Sequence, residues 1–176
     1  LGVGAAVLAF KLLVLRNPAW HGRRLRAATQ SDLVRLTRRD LRGAETWFGG
    51  RMADRLLQLA RHYTALPEAE RGRWDDGLHG LDIGDELVHL RMCLAVAKAP
   101  LGRAEREYLQ QVEAVLAKGP AAGRGQRLDS ASAQFIEALR RLPASDPLRL
   151  AEGAVLQLQK SWGKWCRWQE EVHGVA

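Results

Sequence analysis

Residues 1–26 read LGVGAAVLAFKLLVLRNPAWHGRRLR, and the organisation of the chain turns on what the first half of that stretch is. Residues 1–15 are apolar apart from Lys11; Arg16, Asn17 and Pro18 follow, and Arg23, Arg24 and Arg26 close the stretch. A helix of about 15 residues rises about 22 Å, less than the roughly 30 Å hydrocarbon layer of a bilayer. The run therefore reads as the last part of a longer span. The expectation is the end of a transmembrane helix at 1–16, followed by a helical domain at 17–176. Lys11 lies near the polar end, where its long stem reaches toward headgroups. Arginines behind the run follow the pattern of a span leaving on the cytoplasmic side. A signal peptide would carry its positive charges ahead of the apolar run. A buried core helix of a soluble protein is the competing reading.

The 176 residues suit one domain with a single sizeable core. A formal charge of +7 fits an anionic partner, either nucleic acid or a membrane leaflet. Its distribution favours the leaflet: residues 1–42 hold nine Lys/Arg against two acids, and the remainder is balanced. Cys93 and Cys166 sit in helical patterns, suggest no disulfide framework and fit a reducing compartment.

Asn17-Pro18 reads as a helix start, with Asn as N-cap and Pro at the first helical position. The first helix runs to about Leu41, with Leu25, Ala28, Leu33 and Leu36 on one face and Arg24, Arg35, Arg38 and Arg42 on another. Arg16, Arg23, Arg24, Arg26, Arg35 and Arg38 are the expected contacts with anionic headgroups; a solvated face is the alternative. Gly43 breaks the pattern. A second helix, about 45–66, is expected to bury Met52, Leu56, Leu59, Ala60 and Tyr63 before Pro67 ends it. A third, about 74–97, is apolar around most of its circumference and should be central. Its exception is an arc with Asp75, His79, Asp82, Glu86 and His89. Gly80 and Gly84 lie opposite, where missing side chains allow close approach. A fourth helix at 103–118 packs through Tyr108, Leu109, Val112, Val115 and Leu116. Residues 119–125 form a loop, and Asp129 or Ser130 caps a fifth helix with Phe135, Ile136, Leu139 and Leu142. The last, about 147–172, carries Leu150, Val155, Leu158, Trp162 and Trp165. No β-type alternation persists, so the fold class is all-α: an antiparallel helical bundle behind the end of a transmembrane helix.

Trp47, then Arg51-Met52-x-Asp54-Arg55-Leu56, then Leu78-x-Gly80-Leu81-x-Ile83-Gly84-x-x-Leu87-x-x-Leu90-Arg91, resemble the FUSC family of fusaric acid resistance proteins and aromatic acid exporters. Residues 1–95 carry the resemblance; beyond them only the helical pattern does. It implies a last membrane helix leading through a basic segment into a helical cytoplasmic tail. It also implies a bacterial inner-membrane exporter of aromatic carboxylic acids, working with a periplasmic membrane-fusion subunit. The tail would have an assembly or gating role, with the bilayer, the rest of the transporter and further copies of itself as partners. Arg51, Asp54, Arg55, Gly80, Gly84 and Arg91 form the inter-helix motif. Arg51, Asp54 and Arg55 are expected to meet Asp82, Asp85 and Glu86 across the second and third helices.

Glu86-x-x-His89 and Glu170-x-x-His173 together make half of a ferritin-like dinuclear metal site. His79 and Asp82 share the arc, and Glu113 and Glu137 are available, but nothing marks either as inward-facing. His173 lies where helices fray. The polar face of a surface helix explains the same residues, and the expectation is no metal and no cofactor. Trp162 and Trp165 extend the apolar stripe, whereas Trp168 drifts off it and, with Lys160, Lys164 and Arg167, fits a headgroup surface or a partner helix. No nucleophile–base constellation and no phosphate loop appears, so no enzyme is expected. Nucleic-acid binding is the alternative from another class, though no helix-turn-helix, finger or aromatic RNA-binding strand is visible. An adaptor domain and a ferritin-like bundle complete the alternatives.

Overall fold

A computed structural model describes residues 18–38, 42–63, 76–98, 101–118 and 123–173; within these, side chains at 18–23, 26, 62, 76–78 and 166–173 lie outside the description. Residues 1–17, the apolar head with Arg16 included, lie outside it too. Among the described residues there are six helices and no strand: α1 (Pro18–Arg38), α2 (Ala44–Tyr63), α3 (Asp76–Ala97), α4 (Gly102–Lys118), α5 (Arg124–Arg140) and α6 (Asp146–His173). The chain is an all-α bundle. α1 starts at Pro18, whose fixed φ suits a first helical turn. α2 starts behind Gly43, at φ 67°, whose carbonyl accepts the amide of Trp47. α3 stops at Lys98, at φ 48°, two residues before Pro100.

Helix α3 packs on α6 most extensively, and also on α1 and α2. From α6 the packing passes to α5, from α5 to α4 and from α4 back to α1, so α1, α3, α6, α5 and α4 close a ring. α2 lies outside that ring, strapped to α1 and α3. The core runs along α3 through Ile83, Leu87, Leu90 and Leu94 and meets Leu33 and Leu36 of α1, Phe48 and Met52 of α2 and Val155, Leu158, Trp162 and Trp165 of α6. Between α4 and α5, Tyr108 stacks on Phe135 with ring centroids 4.9 Å apart. Burial pushes the Tyr108 phenol well above its ordinary range, which a hydrogen bond with Ser132 partly offsets.

Several helical faces differ from the sequence reading. α2 buries Ala44, Phe48, Met52 and Arg55; Leu56 and Leu59 are half-buried, and Ala60 and Tyr63 are exposed. The stripe is shifted toward the start of the helix because α2 packs against α1 and α3. On α6, Leu148 and Ala151 are buried and Leu150 faces solvent. α5 begins at Arg124, not at Asp129 or Ser130, because Gly123 adopts φ 80° and offers its carbonyl to the amide of Arg127. The additional turn places Leu128 in the core, in line with Ser132, Phe135 and Leu139. Ser130, inside the helix, returns its hydroxyl to the carbonyl of Gln126.

Candidate functional site

The polar groups that organise this bundle converge on α1. Its buried face carries Leu33 and Leu36 but also Thr29 and Asp32, the latter only 2% exposed. A lone carboxylate at that depth is costly, so it must be paired. Arg55 of α2, itself buried, donates to Asp32 Oδ2, and its second nitrogen donates to Thr29 Oγ1 at 3.2 Å. Arg51 and Arg35 stand at 3.7 Å from the same carboxylate and reach it from the surface. Arg51 also lies over the Trp47 ring, 5.4 Å from its centroid.

Two further groups tie α1 to the ring. Arg91 of α3 donates to the carbonyl of Leu36 at 2.6 Å, satisfying one of the last carbonyls of α1. Gln30 donates to the carbonyl of Leu116 and does the same for the end of α4. Outside, Arg38 makes a two-pronged pair with Glu113 of α4. The hydrogen bonds from Arg38 hold the Glu113 carboxyl below its ordinary range. One helix is thus fixed by polar contacts to α2, α3 and α4.

Glycines make the same junction tight. A Cβ on Gly84 would sit 2.0 Å from the Phe48 ring of α2, and one on Gly80 would sit 2.6 Å from Thr29 Cγ2 of α1. The expected close approach at both glycines is present, with a different helix received at each.

The expected pairing of Arg51, Asp54 and Arg55 with the acids of α3 is not what forms. Arg55 and Arg51 turn to Asp32 of α1, and Asp54 is exposed. The reason is packing: Phe48 fills the α2–α3 contact at Gly84, which leaves Asp32 as the carboxylate within reach of the buried guanidinium. Asp82 and Asp85 are exposed and Glu86 is half-buried. Partial burial, then the neighbouring Asp82 and Glu45 charges, raise the Asp85 carboxyl above its ordinary value. Partial burial likewise raises Glu86. Sequence reasoning missed Asp32, Thr29 and Gln30. The available signal was an acid four residues before Leu36 on the apolar face of a basic helix.

Of the headgroup-contact set, Arg24, Arg35 and Arg38 are exposed, and the last two are engaged by Asp32 and Glu113. Arg16 and the side chains of Arg23 and Arg26 lie outside the description. Of the metal candidates, Glu86 and His89 are 3.9 Å apart; the side chains of Glu170 and His173 lie outside the description. Glu113 and Glu137, the possible further ligands, pair with Arg38 and Arg141. Among the described residues no group of three or more His, Cys, Asp or Glu is placed to hold a metal. Trp162 and Trp165 are core, Lys160 and Lys164 are exposed, and the side chains of Cys166, Arg167 and Trp168 lie outside the description. Cys93 is buried, and loss of solvation raises its thiol.

Among the described residues no helix is long and apolar enough to cross a membrane. The bundle and its polar seam are what the chain builds behind its apolar head. Matched against family models, residues 1–168 fit that of the FUSC, or fusaric acid resistance protein, family. The chain belongs to this family. The match takes in the apolar head, the basic exit, α1–α5 and most of α6, well beyond the residues 1–95 that carry the resemblance by eye. FUSC proteins are membrane proteins related to transport, which gives this chain its membrane association. No curated protein and no solved structure matches it.

Proposed function

We propose that this FUSC chain is the cytoplasmic part of an inner-membrane exporter of aromatic carboxylic acids, and that its bundle serves assembly or gating. The observation that carries the reading is the single family match over residues 1–168, which joins the apolar head and the bundle in one unit. In this reading residues 1–16 end the membrane helix and residues 17–176 form the tail. Arginines behind the apolar run favour the cytoplasmic side. The substrate class follows from the family, since fusaric acid is an aromatic carboxylic acid, and the transport residues would belong to the membrane part. The rest of the transporter, further copies of the chain and a periplasmic membrane-fusion subunit are its proposed partners.

The seam on α1 gives the gating role a physical basis. A helix bound to α2, α3 and α4 by buried or capped polar groups passes displacement to the whole bundle. The test uses the full exporter in cells stripped of other aromatic-acid pumps, with growth on fusaric acid and efflux of a hydroxybenzoate as readouts. The exporter should confer tolerance, and Asp32→Ala should lower efflux several-fold while the protein still reaches the membrane. Unchanged efflux after removal of the bundle would end the gating role; absence of any aromatic-acid efflux would end the substrate assignment.

A further inference from the structure

Contacts between the helices fix how they run. Thr29 lies on Gly80 and Leu36 meets Arg91, so α1 and α3 are parallel. Gln30 reaches Leu116 while Arg38 reaches Glu113, so α4 runs against α1. Arg124 meets Lys118 while Phe135 meets Tyr108, so α5 runs against α4. Arg140 meets Glu152 across the turn at 141–145, so α6 runs against α5 and hence against α3. Trp165 comes within 3.7 Å of where a Gly80 Cβ would stand, which sets the register of that pair. At about 1.5 Å per residue, Gly153 is then level with Met92, Leu150 with Val96, Lys160 with Asp85 and Lys164 with Asp82, to within about a turn.

These residues share one outer face. On α3 the exposed arc is Asp82, Asp85, His89, Met92 and Val96, spaced by three and four and turned away from Gly84, which receives α2. On α6 Leu150, Gly153, Lys160 and Lys164 are exposed and turned away from Glu152, which reaches α5. Phe48 packs at Gly84, so α2 begins at about the level of Val88 and leaves the second half of this arc uncovered. There the face is apolar: Met92 is 45% exposed, Val96 69% and Leu150 53%, and a Cβ on Gly153 would meet nothing within 4 Å. Further along, α3 carries acids where α6 carries lysines. Within one copy no ion pair joins Asp82 or Asp85 to Lys160 or Lys164.

We propose that this face is a two-fold interface for a second copy of the chain, with α3 of each copy lying on α6 of the other. An axis along the helices sets Met92 and Val96 against the partner's Gly153 and Leu150, and Asp82 and Asp85 against the partner's Lys164 and Lys160. The chain is its own complement, in apolar surface and in charge, at matching levels. Such an axis also keeps both α1 starts at one end, as two chains ending their membrane helices in one bilayer require. Over the length of α3 the two helices present roughly 33 by 20 Å, about 660 Å² per copy, near the about 800 Å² of a specific interface. The inference rests on the proposed assembly role and names the surface that performs it.

The test is sedimentation of residues 1–176 in mild detergent over a range of protein concentrations. The wild-type chain should dimerise, and M92E/V96E should weaken the dimer by about tenfold or more. D82K/D85K and K160E/K164E should each weaken it similarly, and the four changes together should restore it. All these positions are exposed, and a melt of each variant verifies the fold; M92S/V96S replaces the glutamates where they disturb it. In a C93A/C166A background, oxidation should join an M92C chain to a G153C chain but not M92C to itself. A dimer that all the variants leave unchanged would overturn the interface and leave assembly through another surface standing. A wild-type chain monomeric throughout would overturn self-assembly along with it. An M92C self-disulfide without the mixed one would overturn the two-fold arrangement, and an M92C disulfide in cell membranes to a different protein alone would assign the face to that protein instead.

Discussion

Asp32 is the buried carboxylate that joins α1 to α2. Its partner Arg55 is buried with it, so removing one side chain strands the other as an uncompensated charge. Asp32→Ala is expected to cost about 3–5 kcal/mol in a urea unfolding experiment. The double replacement D32L/R55M should recover most of that loss, because an apolar pair avoids the desolvation altogether. Asp85 acts in the opposite direction. Its folded pKa is raised, so the folded chain retains a proton that the unfolded chain releases. Stability therefore falls as pH rises from the ordinary aspartate value through the raised one, and remains lower above it. Asp85→Asn should raise the melting temperature at neutral pH, by roughly half a kcal/mol or less given its exposure, with no gain below about pH 4. For Glu113 the folded pKa is lowered, so its stabilisation is present above the ordinary glutamate value and is lost as pH falls through the lower, folded one.

At the scale of elements the glycines separate packing from propensity. Gly84→Ala places a methyl group 2.0 Å from the Phe48 ring and should cost about 1–3 kcal/mol. Gly50→Ala, in an exposed position of α2 with nothing within 4 Å of its Cβ, should gain about 0.5–1 kcal/mol from helix propensity alone. Thermal melts of the two variants should shift in opposite directions. Both glycines look alike in sequence, yet the periodicity of α3 already marked Gly84 as a contact, since it lies opposite the polar arc. Helix order, the central place of α3 and the core tryptophans of α6 were legible for the same reason: apolar residues recur with helical spacing. The start of α5 was not, because Gly123 sets it through a positive φ, which no side chain signals, and better capping residues follow at Asp129 and Ser130. Which acid receives Arg55 was not legible either. It depends on how α2 sits across α1 and α3, a tertiary fact that charge spacing along one helix does not contain.

For the whole molecule, family membership and charge distribution point the same way. The excess of Lys and Arg lies in residues 1–42, on both sides of the start of α1, while Asp82, Asp85 and Glu86 lie in the first half of α3. In the proposed reading the bundle follows the membrane helix through its basic segment, on the cytoplasmic side. The most direct measurement is protease accessibility of the bundle in membrane vesicles of known orientation, prepared from cells making the protein. The account predicts that trypsin destroys a tag at the end of α6 in inside-out vesicles and spares it in right-side-out ones. Cleavage in right-side-out vesicles alone, or release of an intact chain from the membrane by alkaline carbonate, would contradict it.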